Sequence, residues 1–406
     1  MSNKLKILMC SDDPDTILSY GLLSKMLIDE IHPFYDIHYV SLQRPYGVPI
    51  NREGKYIKYA GKCREERNPI NLPRVMNELH PDIFWTNFDI QHYEIFHNNN
   101  YVPKSTSWCG WVPWDNEDYG QIGRAKAVLR NVDVKVAISQ FGFEFMRKHG
   151  IPIDAWIYNI VDTKNFYPIS QNNKNFRNFK KSKNWYNKEN KYLLFVGRPN
   201  WRKRIPYMFG IMRELKNRGR NDIKLILHSN VNDSGRIINI PEVLDAFGLW
   251  DTVIATAFPH DEGVSKTDLR YLYNMADLYL ATHAGEGFGM PIAEAMACKT
   301  PFIASDFCTT REFAGDLERG FPAPIYYPRD PQGNPILDGG VMRPYPVIDK
   351  FADIIEFALD NPNKLETMGE KGAEWVKQWC SPEVTAHNWR QIFDSFNIKY
   401  GKVEYP

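Results

Sequence analysis

A chain of 406 residues is longer than one typical core, so two or three domains are expected. Its formal net charge of +1 offers no bulk attraction to a polyanion, and its composition, 43% hydrophobic and 14% aromatic, is that of a soluble globular protein. The six cysteines (Cys10, Cys63, Cys109, Cys298, Cys308, Cys380) form no CxxC pair and no metal-ligand spacing, which reads as reduced core thiols in a cytoplasmic protein.

The first run, Lys4-Leu5-Lys6-Ile7-Leu8-Met9-Cys10, is basic and then apolar. Its apolar part is shorter than the roughly 7–15 residues of a signal peptide, so it reads as a buried strand, 6–10. A helix follows over 19–31, entered at Tyr20-Gly21, then strands over 37–41, 82–86 and 134–139, and a helix to about His149. Short apolar strands alternating with helical patterns argue for βαβ units and a parallel sheet. Residues 171–191 are rich in Asn and Lys and read as an exposed loop or partly disordered insert. A second βαβ series has strands over 192–196, 224–228 and 252–257, a helix over 269–275, and strands over 278–281 and 302–304. Helices over 350–360, 363–378 and 382–396 follow. No apolar run approaches the ~18 residues needed to span a bilayer.

The segment from Gly285 to Ala297, GEGFGMPIAEAMA, carries the most chemistry. It runs from a glycine turn into a helix, with Pro291 suited to the first helical turn. Glycines let backbone amides approach a ligand, and a helix start offers free N–H donors and the positive end of the dipole, which suit a diphosphate. Glu286 lies in the turn and Glu294 about one helical turn further on. Carboxylates accept hydrogen bonds from hydroxyls rather than bind phosphate, so the two together suit a sugar nucleotide. The plainer alternative is a glycine turn opening an ordinary buried helix.

Glu286 and Glu294, with seven residues between them, resemble the E-x7-E motif of retaining GT-B glycosyltransferases, and the wording of the segment is similar to family 4 of that group. The resemblance implies an α/β chain with two Rossmann-like domains facing each other across a cleft and a C-terminal helix crossing back to the first. On that plan residues 1–165 with 382–406 form the acceptor domain, and 166–381 the nucleotide-sugar donor domain. The stretch 157–168 resembles the family's domain-junction connector, with Ile160 where a glycine is usual. Lys299 likewise stands where the family has glycine, which questions the local turn.

A second element, Gly197-Arg198-Pro199-Asn200-Trp201-Arg202-Lys203-Arg204, ends a predicted strand and resembles the family's G-R-x4-K. Arg198 can grip phosphate oxygens bidentately and Lys203 adds a point charge, both stabilising the leaving diphosphate in place of a metal. The alternative is a solvated basic turn. By resemblance Glu294 holds the ribose hydroxyls and Glu286 contacts the donor sugar. Gly197, Gly287, Phe288, Gly289 and Met290 line the donor, as does Gly21 unless it is a mere turn glycine. The Thr309–Glu312 turn is also expected near the donor.

For the acceptor, Trp111 and Trp114 with Asp115 are the candidates, in Gly110-Trp111-Val112-Pro113-Trp114-Asp115: tryptophans stack on sugar rings and an aspartate orients a hydroxyl. Many family members have a His-Asp pair here, so Trp114-Asp115 puts the histidine's role in doubt while Asp115 stays a catalytic candidate. A packed aromatic core is the alternative. Asp13-Pro14-Asp15 fits a D-x-D metal motif but follows the first strand, where a capping turn is the better reading, and no metal is expected. His283 reads as structural.

Between Lys174 and Arg204 there are eleven basic residues and one acid, Glu189, interleaved with aromatics. That pattern suits a nucleic-acid strand, an anionic membrane or a solvated linker. The expected function is metal-independent, retaining transfer from a UDP- or GDP-linked sugar to a glycan or lipid-linked acceptor. No separate cofactor is expected, in a cytoplasmic protein able to sit on a membrane surface. A catalytically inactive nucleotide-sugar-binding scaffold, a nucleic-acid glycosyltransferase and a sugar-nucleotide epimerase are the alternatives.

Overall fold

The structure, a computed structural model, describes residues 4–16, 19–43, 47–61, 69–115, 119–229, 238–256, 264–338 and 341–399. Cys63, Asn116, Glu117, Ala257 and Gly263 lie outside them. The other five cysteines are buried.

The chain divides into two units, residues 1–160 with 379–406 and residues 161–378, a few residues from the expected boundaries. The first unit is built on a sheet of β1 (Lys6–Ser11), β2 (Asp36–Ser41), β3 (Ile50–Arg52), β4 (Tyr56–Ala60), β5 (Ile83–Asn87), β6 (Ser107–Val112), β7 (Val134–Ala137) and β8 (Ala155–Trp156), in the order β3-β4-β2-β1-β5-β6-β7-β8. All pairs are parallel except β3 with β4. The helix Pro382–Lys399 returns to this unit: the Tyr35 hydroxyl donates to Asp394 and Trp389 packs edge-on against Trp85 and Trp111.

Here the acceptor reading of the tryptophans is corrected. Trp111 lies in β6, an interior strand, with no exposed surface, and its Nε1 donates to the Ile157 carbonyl at 2.8 Å. Trp114 is also a core residue, stacked on Phe145. Strands of a parallel sheet are covered on both faces and normally read as unbroken apolar runs. Ser107-Trp108-Cys109-Gly110-Trp111-Val112 contains serine and glycine, which break such a run. At Gly21 a Cβ would collide with the Asp13 carbonyl oxygen, so the helix Ser19–Ile31 needs glycine to lie against the turn that follows β1. The Asp13–Asp15 turn engages cations of its own, Lys58 Nζ lying 2.9 Å from Asp13 and 2.6 Å from Asp15, with Arg52 at 2.6 Å from Asp15.

The second unit is a parallel sheet of β9 (Lys191–Val196), β10 (Ile223–His228), β11 (Val253–Thr256), β12 (Leu278–Ala281), β13 (Phe302–Ser305) and β14 (Gly320–Ala323), in the order β11-β10-β9-β12-β13-β14. Leu193, Leu225, Leu227, Leu280 and Ile303 form one buried core with the helices Ile205–Asn217, Ile240–Phe247 and Ile348–Leu359. Strand order reverses between β9 and β12, the point at which open α/β sheets bind ligands beyond their carboxyl ends.

Within 171–191, residues Lys174–Ser182 form a helix rather than a loop. Asn173 caps it by accepting from the Phe176 amide at 3.1 Å, and Phe176 is fully buried against Tyr271. One inward aromatic and one cap suffice here, although the segment is otherwise polar.

Lys299 has φ of 62°, the left-handed conformation that glycine adopts freely. A Lys299→Gly exchange is expected to raise stability by about 1 kcal/mol, since a side chain costs roughly that much in this region. An unchanged urea midpoint would refute it.

Candidate active site

The site is assembled from the carboxyl ends of β9 and β12. After β9 the chain makes a short 3-10 turn, Trp201–Lys203, before the helix Ile205–Asn217. After β12 it runs through Thr282, His283 and Ala284 into the glycine turn and the helix Met290–Ala297. The two segments are tied together: the Ala284 amide donates to the Arg202 carbonyl at 2.7 Å, and the Thr282 hydroxyl to the Lys203 carbonyl at 2.9 Å.

Across this junction Lys203 pairs with Glu286, and Arg202 Nη1 stands 3.4 Å from the same carboxylate. Glu286 is 8% exposed. Burial alone pushes its carboxyl up, but the Lys203 and Arg202 charges overcome this and hold it at about 2. The trio therefore carries one net positive charge at any ordinary pH. Arg198 adds to it: it is exposed and has no carboxylate partner among the described residues.

The helix Met290–Ala297 begins at Gly289, with φ of 95°, and no side chain caps its first turn. Pro291 has no N–H and the Ile292 and Ala293 amides donate to the Gly289 carbonyl, so the Met290 N–H and the helix dipole are what this start offers an anion. Phe288 is buried edge-on against Phe313, and its carbonyl accepts from the Thr309 hydroxyl at 2.8 Å. Thr310 meets His283 Nε2 at 3.1 Å. Both threonines are fully buried, so the Thr309–Glu312 turn supports the glycine turn from behind. Burial lowers His283 to about 4, leaving it neutral and structural, as expected.

Glu294 accepts from the Tyr273 hydroxyl at 2.7 Å. Burial lifts its carboxyl to about 7, against the Tyr273 hydrogen bond, with Asp162 adding to the rise and Lys266 opposing it. The two glutamates of one motif thus stand in opposite electrostatic settings: one is fixed as an anion and the other is poised near neutrality.

The second unit brings together Lys203, Glu286 and the turn Gly287–Met290. Gly197 follows β9 and leads into Arg198. Asp115 belongs to the first unit, near Tyr20, whose hydroxyl donates to Asp89 at 2.8 Å. Arg202 and Tyr273 were missed. Arg202 is adjacent to Lys203 but falls on an unspecified position of G-R-x4-K, and nothing in the sequence pairs Tyr273 with Glu294. The aromatics of the basic stretch have ring partners and are half-buried: Phe179 lies against Tyr271, and Trp185 and Tyr186 against Tyr192. Among the described residues no helix is long and apolar enough to cross a membrane.

A family model described as glycosyl transferases group 1 matches residues 176–375, the span that holds this whole constellation. Residues 176–375 form a group 1 glycosyl transferase domain. The GT-B fold extends over the chain. Sucrose-phosphate synthase from Thermosynechococcus elongatus superposes with a TM-score of 0.77 at 17% identity, covering 98% of this chain and all of that one. Anabaena HepE, solved in complex with UDP and glucose, gives 0.70 at 15% identity over 96% of this chain and all of that one. In sequence, the O-antigen chain mannosyltransferase B of Escherichia coli is 42% identical over 53 residues, a match spanning 13% of this chain and 14% of that protein. In this structure the two glutamates and the cations of the transferase domain follow the carboxyl ends of β9 and β12.

Proposed function

We propose that the chain is a retaining, metal-independent glycosyltransferase that moves a hexosyl group from a UDP- or GDP-linked sugar to a hydroxyl of a glycan or lipid-linked saccharide. The observation that carries this reading is the cluster of Lys203 and Arg202 on the buried Glu286 carboxylate, in front of a helix start with no side-chain cap. In the reaction the bond between the sugar's anomeric carbon and the diphosphate oxygen breaks. The acceptor oxygen bonds to the same face, and its proton passes to the departing phosphate. Negative charge grows on the diphosphate, where Lys203, Arg202 and Arg198 with the Met290 N–H and the helix dipole stabilise it. Glu286, held ionised, accepts from a donor-sugar hydroxyl, and Glu294 accepts from the ribose. UDP and glucose on HepE, and a mannosyltransferase of O-antigen chains among the relatives, support a nucleotide-sugar donor and a glycan acceptor.

The test is nucleoside diphosphate release from UDP- and GDP-sugars with a panel of glycan acceptors and a chelator present. Acceptor-dependent release with the anomeric configuration kept is expected. Release abolished by the chelator and restored by a divalent cation would overturn metal independence. Donor turnover without any acceptor would favour an epimerase.

Glu294 gives this reading a pH signature. A carboxyl raised in the folded state contributes stability that is full below its ordinary value of 4.5 and is lost as pH rises through about 7. Donor binding runs the other way, because ionised Glu294 is the better acceptor for ribose hydroxyls. Affinity for a nucleotide sugar, whose diphosphate diester does not titrate here, should rise roughly tenfold as pH passes through that value. Glu294→Gln should flatten the titration. A pH-independent wild-type affinity would exclude the ribose role.

A further inference from the structure

Between β14 and the helix Ile348–Leu359 the chain leaves the sheet and returns, with Ile325–Tyr326 pairing antiparallel to Tyr345–Pro346. Two side chains from this excursion reach the turn that carries Lys203. Arg343, 7% exposed, donates from Nη1 to the Ala284 carbonyl at 2.8 Å and lies 4.6 Å over the Trp201 ring. Asp338 pairs with Arg204 Nη2 at 2.6 Å, and the Arg204 guanidinium lies 3.9 Å over Tyr345. Arg204 needs such holding. It is buried, has φ of 55°, and joins the 3-10 turn to the following helix without any capping side chain. A side chain in that backbone region is maintained only where its surroundings dictate it.

We propose that residues 324–338 and 341–347 are a positioning element for the donor site. Arg343 and Asp338 hold the Trp201–Arg204 turn against Ala284, so that Lys203 meets Glu286. The proposal rests on the transferase reading for its effect on rate, but not for the anchoring itself. Arg343 acts through two contacts at once. Its planar guanidinium stacks on Trp201 of one segment and hydrogen-bonds the carbonyl of Ala284 on the other, the residue just before the glycine turn. Lysine keeps the charge but lacks the planar fork, so Arg343→Lys should behave nearly as Arg343→Ala does. Asp338 is partly exposed but its partner Arg204 is buried, so Asp338→Asn, which keeps the side chain's shape and an acceptor oxygen and leaves the guanidinium over Tyr345, tests the same element through a second contact.

Two readouts on the full chain separate positioning from plain destabilisation. The first is steady-state transfer from UDP-glucose or GDP-mannose, whichever the wild type uses, with donor-binding stoichiometry measured alongside. Arg343→Ala and Asp338→Asn should lower kcat by about tenfold to a hundredfold, as expected for a reacting group displaced by an ångström. Donor KM and stoichiometry should hardly change. A fall in kcat that merely tracks lost binding-competent protein would overturn the proposal. The second is hydrogen exchange of the amides of Lys203, Arg204 and Ala284, which are bonded to Asn200, Trp201 and Arg202 respectively. Both variants should speed it by about tenfold or more while strand β9 stays protected. Unchanged exchange would also overturn the proposal. Should the wild type turn over no nucleotide sugar, the transferase reading fails while the exchange result still decides the anchoring.

Discussion

A Lys203→Met variant is expected to lose roughly a hundred- to a thousandfold in transfer rate, the effect of removing one preorganised charge from a developing anion. Methionine keeps most of the stem's packing, so the loss reports the ammonium. In the resting protein that ammonium is bonded to Glu286, and Arg202 is the next cation to the carboxylate. Its removal turns the trio from one net positive charge to none, so affinity for the diphosphate should fall along with the rate. Stability should fall too. Breaking a buried pair leaves an uncompensated charge and costs about 3–5 kcal/mol, here eased by Arg202. The pH dependence follows from Glu286. A carboxyl held at about 2, below its ordinary value of 4.5, contributes stability that is present above 4.5 and lost as pH falls toward 2. Without Lys203 this contribution shrinks, so acid unfolding of the variant should differ less from its unfolding at neutral pH. A Lys203→Met variant with wild-type kcat would remove the lysine from the reaction.

Glu286→Gln is expected to produce an equally large loss of rate with a different pattern. Glutamine keeps the shape but loses the charge and replaces one acceptor oxygen with a donor NH₂, and charge-assisted bonds are about twice as strong as neutral ones. The variant also frees Lys203 and Arg202 from their counter-charge, taking the trio to two net positive charges. Nucleoside diphosphate alone should therefore bind at least as tightly as to the wild type, while transfer from the complete nucleotide sugar drops by about two orders of magnitude. Lys203→Met weakens both ligands; Glu286→Gln should separate them. If Glu286→Gln weakened the free diphosphate as much as the nucleotide sugar, the carboxylate would belong to the scaffold of the site rather than to sugar recognition.

Much of the second unit was legible because its signals are local. A strand ending at Val196, a glycine turn at 285–289 and a proline in the first turn of Met290–Ala297 each declare themselves within a few residues. The assembly of Lys203 with Glu286 follows from strand order, because β9 and β12 are neighbours in the sheet although 83 positions separate the two residues. Sequence spacing pointed to both ends of that contact but not to Arg202 between them. The first unit was less legible for a physical reason. Its β6 owes its place to burial on both faces, and the glycine and serine within it hide that in a composition reading. Of the tryptophans that look like sugar platforms, Trp111 packs with Trp85 and Trp389, and Trp114 stacks on Phe145 in the core. Arg343 was invisible for the opposite reason: it sits in a polar excursion, and only the folded chain shows its guanidinium on Trp201.

Whether Lys203 and Glu286 form a donor site is decided by calorimetric titration with UDP-glucose and GDP-mannose in the presence of a chelator. One of the two should bind the wild type with a single site per chain, and Lys203→Met should weaken that binding severalfold or more. If neither nucleotide sugar bound at millimolar concentration, or if the variant bound as tightly as the wild type, the cluster would be a structural ion pair and the account would be wrong.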